Sequence, residues 1–241
     1  MVLKMQIKVL FDKDTLEKNL QTGWGVSFLI DDKILFDTGE NGRWLINNMD
    51  KLGVDVKKIE GVVISHDHWD HTGGLWEVLV RRKGLAVYAC AHFSKEFKEK
   101  VKDLEGELIE ADKFMEISSH IFITGEIAGT YNQQYIPEQA IILKTENGIS
   151  LITGCAHPGI VNMVKKVIEK FPDDNIYAVL GGFHLMQDDK RSIEIVVEDF
   201  KKLGIKKAGP THCSGETAEE IFKDRYKNDF IQVKVGRTLD I

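Results

Sequence analysis

Twice along this chain an apolar strand runs into a glycine turn, an amphipathic helix follows, and a second apolar strand ends in histidine. In the first copy Lys33-Ile34-Leu35-Phe36 leads into Asp37-Thr38-Gly39; Leu45, Met49 and Leu52 share a helical face ended by Gly53; and Gly61-Val62-Val63-Ile64 opens towards His66 and His68. In the second, Ser150 to Thr153 leads into Gly154; Ile160, Val161, Val164, Val167 and Ile168 form the inward stripe of a helix from Gly159 to Lys170; and Ile176 to Leu180 runs into Gly181-Gly182-Phe183-His184. The spans from Gly39 to His68 and from Gly154 to His184 are nearly equal, so we read an internal repeat of a β-α-β unit. Parallel strands joined by a helical crossover define an α/β fold, and a duplicated unit is expected to turn its strand carboxyl ends towards one crevice.

The densest chemistry lies at the end of the first repeat. His66-Asp67-His68-Trp69-Asp70-His71 sets three imidazoles and two carboxylates in six consecutive positions, followed by Thr72-Gly73-Gly74, in a chain with only 8 histidines. Neutral imidazole and carboxylate are the ordinary ligands of zinc and other first-row divalent ions. One ion cannot take five ligands from one hexapeptide without severe strain, so His66 and His68 are expected on one ion and Asp70 and His71 on a second. Three later histidines sit just past strands or in turns, the positions expected to converge: His157 in Gly154-Cys155-Ala156-His157-Pro158-Gly159, His184, and His212 in Pro210-Thr211-His212-Cys213-Ser214-Gly215. His92 and His120 are expected at the surface or at a helix start instead.

With 241 residues, 43% of them hydrophobic, the chain can bury a substantial core, and no Pro/Gly/Ser-rich linker divides it, so residues 1–241 read as a single domain. A formal charge of −6 gives no reason to expect nucleic acid as a partner, and no run approaches a membrane span. The first ten residues alternate like a strand and lack the apolar core of a signal peptide. Cys90, Cys155 and Cys213 have no C-x-x-C spacing, which suits a reducing cytoplasm better than a disulfide framework.

Between the repeats, Val26 to Ile30 pairs as a hairpin with Lys33 to Phe36 around Asp31-Asp32, a strand is expected at Ala86 to Cys90, and Phe93, Phe97, Val101 and Leu104 mark a helix. Residues 125–139, with Gly129, Tyr131, Asn132, Gln133, Gln134, Tyr135 and Pro137, show neither period and read as a long loop, either a substrate-contacting lid or a surface excursion. Near the carboxyl end, Ser214-Gly215 opens a helix carrying Ala218, Ile221 and Phe222. Its amino terminus suits an anionic group of a substrate, or Ser214 acts only as an N-cap.

The order Asp37 in a D-T-G turn, then H-D-H-W-D-H, then single histidines at 157 and 212 resembles the metallo-β-lactamase superfamily over nearly the whole chain. The resemblance implies a four-layer αβ/βα sandwich of two mixed sheets. It further implies that His66, His68 and His157 bind one ion, that Asp70, His71 and His212 bind the other, and that Asp37 supports the ligands from behind. His68 stands where iron-dependent oxidoreductases of the superfamily carry Glu, which favours a zinc-like hydrolytic site, with manganese or iron as the alternatives. The chain departs from the pattern at Gly181-Gly182-Phe183-His184, where a bridging aspartate is usual. Together with G-C-A-H-P-G and T-H-C-S-G, that stretch is similar to the branch named after 7,8-dihydropterin-6-methyl-4-(β-D-ribofuranosyl)-aminobenzene-5′-phosphate synthase. His184 is expected as an extra ligand or a substrate contact.

Two divalent ions supply an activated water at neutral pH, and Asp70 is the carboxylate expected to orient it or move its proton. The expected activity is therefore a metal-dependent hydrolase acting on a small, anionic phosphoester, ester or lactone, with His184, Tyr131, Ser214 and Gly215 near the substrate. A transferase joining a dihydropterin pyrophosphate to an arylamine, and a metal-binding sensor without turnover, are the alternatives.

Overall fold

A computed structural model describes residues 4–241, and by contact clustering these divide into two compact units. The first unit comprises Met5–Lys113 with Lys234–Asp240, and the second comprises Phe114–Val233 with Lys4 and Ile241.

In the first unit the order is β1 (Gln6–Phe11), β2 (Ser27–Ile30), β3 (Ile34–Phe36), α1 (Gly42–Lys51), β4 (Gly61–Val63), α2 (Trp69–Thr72), α3 (Leu75–Arg81), β5 (Ala86–Cys90), α4 (Lys95–Asp103) and β6 (Glu107–Ala111). In the second it is β7 (Met115–Ser118), β8 (Ile121–Ile123), β9 (Ile127–Tyr131), β10 (Gln134–Glu138), β11 (Ile141–Thr145), β12 (Gly148–Thr153), α5 (Ile160–Lys170), β13 (Ile176–Gly182), α6 (Lys190–Lys202), β14 (Lys207–Thr211) and α7 (Glu216–Tyr226). The chain then returns to the first unit with β15 (Thr238–Asp240).

The first unit carries a 7-stranded mixed sheet in the order β15-β1-β2-β3-β4-β5-β6, antiparallel as far as β3 and parallel beyond it. The change of direction falls where α1 replaces a tight turn. Asn41 caps that helix by accepting from the Arg43 and Trp44 N–H groups, and Gly53 ends it in the left-handed region at φ +70°. Leu45, Ile46 and Met49 of α1 pack with Leu75, Val78 and Leu79 of α3 onto Leu10, Leu35, Val62 and Val87 of the sheet. Val62 and Val63 point to opposite faces and are both fully buried, as the uninterrupted apolar run predicts.

The second unit carries a 6-stranded mixed sheet, β14-β13-β12-β11-β8-β7, parallel only from β12 to β14. Helices α5, α6 and α7 cover it with Ile160, Met163, Val164, Val197, Phe200, Ala218 and Phe222. Thus β3-α1-β4 in one unit and β12-α5-β13 in the other realise the duplicated β-α-β unit.

Residues 125–139 are a correction: they are no loop but the hairpin β9–β10, a two-stranded sheet of its own in register from Tyr131↔Gln134 to Ile127↔Glu138. Asn132 and Gln133 both adopt positive φ, +49° and +63°, the two-residue turn that matches strand twist. Gln is uncommon at such a position, which is why the turn does not announce itself. Among the described residues no helix is long and apolar enough to cross a membrane.

Candidate metal centre

In the first unit, parallel register sets Phe36 level with Val63, so Asp37 leaves β3 beside the segment that leaves β4. The Asp37 N–H donates to the Val63 carbonyl at 2.9 Å, while Thr38 reaches the His71 carbonyl through its N–H at 3.0 Å and its hydroxyl at 2.7 Å. The D-T-G turn and the histidine segment are thereby tied together. Glycine is required at this approach: a Cβ on Gly74 would lie 2.2 Å from the Thr38 carbonyl oxygen, and one on Gly25, at φ +96°, only 1.8 Å from that of Asp70.

The hexapeptide splits by backbone state. His66 lies on the exit from β4 and His68 just before α2, whereas Asp70 and His71 sit on α2 itself. Asp67 turns aside to accept from the Ser94 N–H at 2.8 Å, bracing the start of α4 and leaving four side chains for the site.

One buried carboxylate orders them. Asp37 Oδ1 accepts from the Ser65 N–H at 2.7 Å, and its Oδ2 accepts from the Ser65 hydroxyl and from His71 Nδ1, each at 2.7 Å. Since the Ser65 proton is given to Asp37, its oxygen, 2.9 Å from His66 Nδ1, accepts there. His66 and His71 are both held through Nδ1, so that Nε2 is turned towards His68 in one and towards Asp70 in the other, the orientation that outer carboxylates impose on metal-binding imidazoles. Burial pulls the His71 pKa down, but Asp37 outweighs it and holds the imidazole well above its ordinary range.

The outward atoms of these side chains meet in pairs. His66 Nε2 lies 3.1 Å from His68 Nδ1, and His71 Nε2 lies 3.4 Å from Asp70 Oδ2. Around a tetrahedral ion with bonds of about 2.0–2.1 Å, two ligating atoms stand roughly 3.3 Å apart. The donor set therefore fits divalent cations in both type and spacing.

The second unit repeats the scheme with different residues. His157 is oriented by Glu138, fully buried at the end of β10, which accepts from the N–H groups of Cys155 at 2.9 Å, Ala156 at 2.7 Å and His157 at 2.7 Å, and from His157 Nδ1 at 2.9 Å. Burial raises the Glu138 pKa, yet the His157 ring and these backbone donors together bring it below the usual carboxylate value. Ala156 turns the chain at φ +64°. Glu138 is thus the counterpart of Asp37, and sequence reasoning missed it. Its signal in the sequence is a charged residue two positions before the fully apolar run Ala140 to Leu143, inside the stretch 125–139 that shows no clear period.

His212 follows β14 at φ +53° and is fully buried. His184, at φ +55°, is exposed, its ring 4.6 Å from that of His157 and 5.8 Å from that of Tyr131. A hydrogen bond with Cys213 raises the His184 pKa. The Cys213 thiol is raised by burial, but hydrogen bonds with Cys155 and His184 and the neighbouring imidazoles bring it well below its ordinary value. Tyr131, at the tip of β9, stands 5.3 Å from the His157 ring. Ser214 does not cap α7; Gly215 holds that position without a side-chain bond, and the buried Ser214 hydroxyl accepts from the Phe183 N–H at 3.0 Å. His92 and His120 are exposed.

Residues 25–218 match the family described as the metallo-beta-lactamase superfamily. The chain is 31% identical, over 261 residues and 89% of each chain, to 7,8-dihydropterin-6-methyl-4-(beta-D-ribofuranosyl)-aminobenzene-5'-phosphate synthase of Methanocaldococcus jannaschii. Among solved structures it resembles Tm1679, described as a metal-dependent hydrolase of the beta-lactamase superfamily, with a TM-score of 0.82 and 29% identity over 98% of this chain and 99% of that one. The metallo-beta-lactamase fold protein YhfI of Bacillus subtilis shares the fold, with a TM-score of 0.70 at 15% identity over 99% of both chains. On its motifs, its two mixed sheets and these likenesses, the chain belongs to the metallo-beta-lactamase superfamily.

Proposed function

We propose that the protein is a metal-dependent hydrolase of a small, anionic phosphoester, ester or lactone. In this reading His66, His68 and His157 hold one divalent ion and Asp70, His71 and His212 hold a second, with zinc the first choice and manganese or iron the alternatives. The observation that carries it is the locking of Nδ1 in His71 and His157 by the buried carboxylates Asp37 and Glu138. Such fixing of the tautomer has a purpose when Nε2 must face a cation. Bound there, two divalent ions supply a water acidic enough to ionise at neutral pH and offset charge developing on the substrate.

The chain's own groups divide the remaining work. The Asp70 carboxylate orients the attacking water and takes its proton. The exposed His184 ring, beside His157 and Tyr131, contacts the substrate and can hold a proton at its leaving oxygen. Gly215, at the start of α7, is proposed near the anionic group. Ser214 lies behind it with its hydroxyl already engaged. The description of Tm1679 as a metal-dependent hydrolase supports this reading.

A second reading is favoured by the identity to the M. jannaschii synthase: transfer of a dihydropterin from its pyrophosphate to an arylamine, the same cations assisting the departure of pyrophosphate. The two are separated by assaying chromogenic phosphodiesters, esters and lactones, with and without chelator, alongside arylamine-dependent release of pyrophosphate. The first reading expects chelator-sensitive hydrolysis without arylamine. Pyrophosphate release that requires arylamine, with no hydrolysis of any ester, would establish the second. The partner is proposed to be a small molecule, with neither nucleic acid nor membrane involved, and the compartment to be cytoplasmic.

A further inference from the structure

Two cations drawn together need anionic ligands, and the set proposed above supplies one carboxylate, Asp70, among neutral imidazoles. The position where a bridging aspartate is usual, Gly182 at the end of β13, cannot carry one. A Cβ there would lie 2.2 Å from the Gly154 carbonyl oxygen and 2.7 Å from Cys213 Sγ. That space is filled by the peptide leading into Cys155 and by a thiol.

Within the second unit, Cys155 is the residue common to two groups of potential ligands. It stands with His157 and His184 in one and with His212 and Cys213 in the other, and in each the ligating atoms all lie within 4.8 Å of one another. His157 and His212 are assigned to different ions in the proposed set, and Cys155 is grouped with each of them. With metal–sulfur and metal–nitrogen bonds of about 2.3 and 2.0–2.1 Å, sulfur and nitrogen stand roughly 3.6 Å apart across a tetrahedral ion. Closing to that spacing asks for a small side-chain movement.

The backbone of Cys155 is already fixed. Its N–H donates to Glu138 Oε1 at 2.9 Å, so the carboxylate that aims His157 also holds the turn carrying this sulfur. Cys213 Sγ donates to the Cys155 carbonyl at 3.6 Å, pinning the same peptide from the other side. The side chain is buried, at 4% exposure, and Glu138, the carboxylate at this turn, has both oxygens engaged.

We infer that Cys155 is a metal ligand, a thiolate grouped with His157 and with His212 that supplies the negative charge position 182 has no room to carry. As the sulfur–metal bond forms, the S–H proton passes to solvent and no redox change occurs. The inference rests on the dinuclear reading, and a spectroscopic test separates the two.

The test reconstitutes the metal-free protein with cobalt(II) and records its absorption, which shows visible ligand-field bands for any bound ion and a near-ultraviolet sulfur-to-cobalt band only with thiolate ligation. The expected result is two cobalt ions per chain with the charge-transfer band, and loss of that band in Cys155→Ser while Cys213→Ser keeps it. Circular dichroism checks that each variant is folded. Wild-type protein with two cobalt ions and no charge-transfer band would overturn the inference while leaving the dinuclear reading intact. So would a band that survives Cys155→Ser but is lost in Cys213→Ser. Failure to bind cobalt at all would overturn both. If Cys155→Ser does not fold, cadmium-113 resonance positions in Cys213→Ser decide, since sulfur ligation that persists there moves them far downfield of sites with only nitrogen and oxygen ligands, and its absence overturns the inference.

Discussion

Asp37 Oδ2 lies 2.7 Å from His71 Nδ1, and both side chains are completely buried. The same carboxylate takes the Ser65 hydroxyl and N–H, so one acidic group aims His71 directly and His66 through Ser65. Asp37→Ala removes the acceptor for three buried donors at once. Each orphaned donor costs about 1–3 kcal/mol, and loss of an outer carboxylate costs about 10–100-fold in metal affinity. Urea unfolding of the metal-free protein and calorimetric zinc titration are the measurements, and both quantities are expected to fall.

Glu138→Gln tests the equivalent group in the second unit. One carboxylate oxygen becomes an NH₂ that faces either the Cys155 and Ala156 N–H groups or those of His157, and neither pair can accept from it. Hydrogen bonds to charged groups contribute about 1.5–3 kcal/mol, and a stability loss of that order is expected. In zinc titrations one of the two binding events should weaken while the other keeps its affinity.

Gly25→Ala should act on Asp70 through its backbone and not through its carboxylate, because the new Cβ would meet the Asp70 carbonyl oxygen at 1.8 Å and the residue must also hold φ at +96°. The backbone must shift, and uptake of the ion assigned to Asp70 and His71 is expected to weaken more than that of the ion assigned to His66 and His68. Metal analysis after dialysis against increasing chelator reads the difference.

The turn of the β9–β10 hairpin holds Gln133 at φ +63°. A left-handed conformation costs a residue with a side chain about 1–2 kcal/mol relative to glycine, so Gln133→Gly should strengthen the hairpin by about 1 kcal/mol. Slower amide exchange from Ile127 to Glu138 would report it.

Asp189 caps α6 by accepting from the Ser192 N–H at 2.8 Å, and that bond draws its pKa below the ordinary aspartate value of 3.8. A carboxylate with a depressed folded pKa contributes stability above its unfolded value and loses it as the pH falls through the folded one. Wild type should therefore exceed Asp189→Ala in stability at neutral pH, with the gap narrowing below pH 3.8. Paired urea titrations across that range measure it.

Much of the fold is legible because it rests on repeated, local signals. Apolar runs at 34–36, 61–63, 149–152 and 176–180 are strands for the reason their composition suggests, and the stripes of α1, α5 and α6 face the sheets they cover. The hexapeptide and Asp37 are legible because ligand chemistry is packed tightly in sequence. Glu138 is not, since its importance lies in accepting from a turn seventeen to nineteen residues away. Nor is the engagement of Ser214 by Phe183, a contact thirty-one residues apart in the chain. Gly182 reads as a missing carboxylate until its surroundings are known, and then as a position with no room for a side chain.

The most direct test of the proposed dinuclear centre is anomalous diffraction from crystals of the zinc-loaded protein, with data recorded on both sides of the zinc absorption edge. Two peaks are expected, one bonded to His66 Nε2, His68 Nδ1 and His157, the other to Asp70, His71 Nε2 and His212. No peak at these residues, or a single ion with His157 or His212 bonded to nothing, would contradict it.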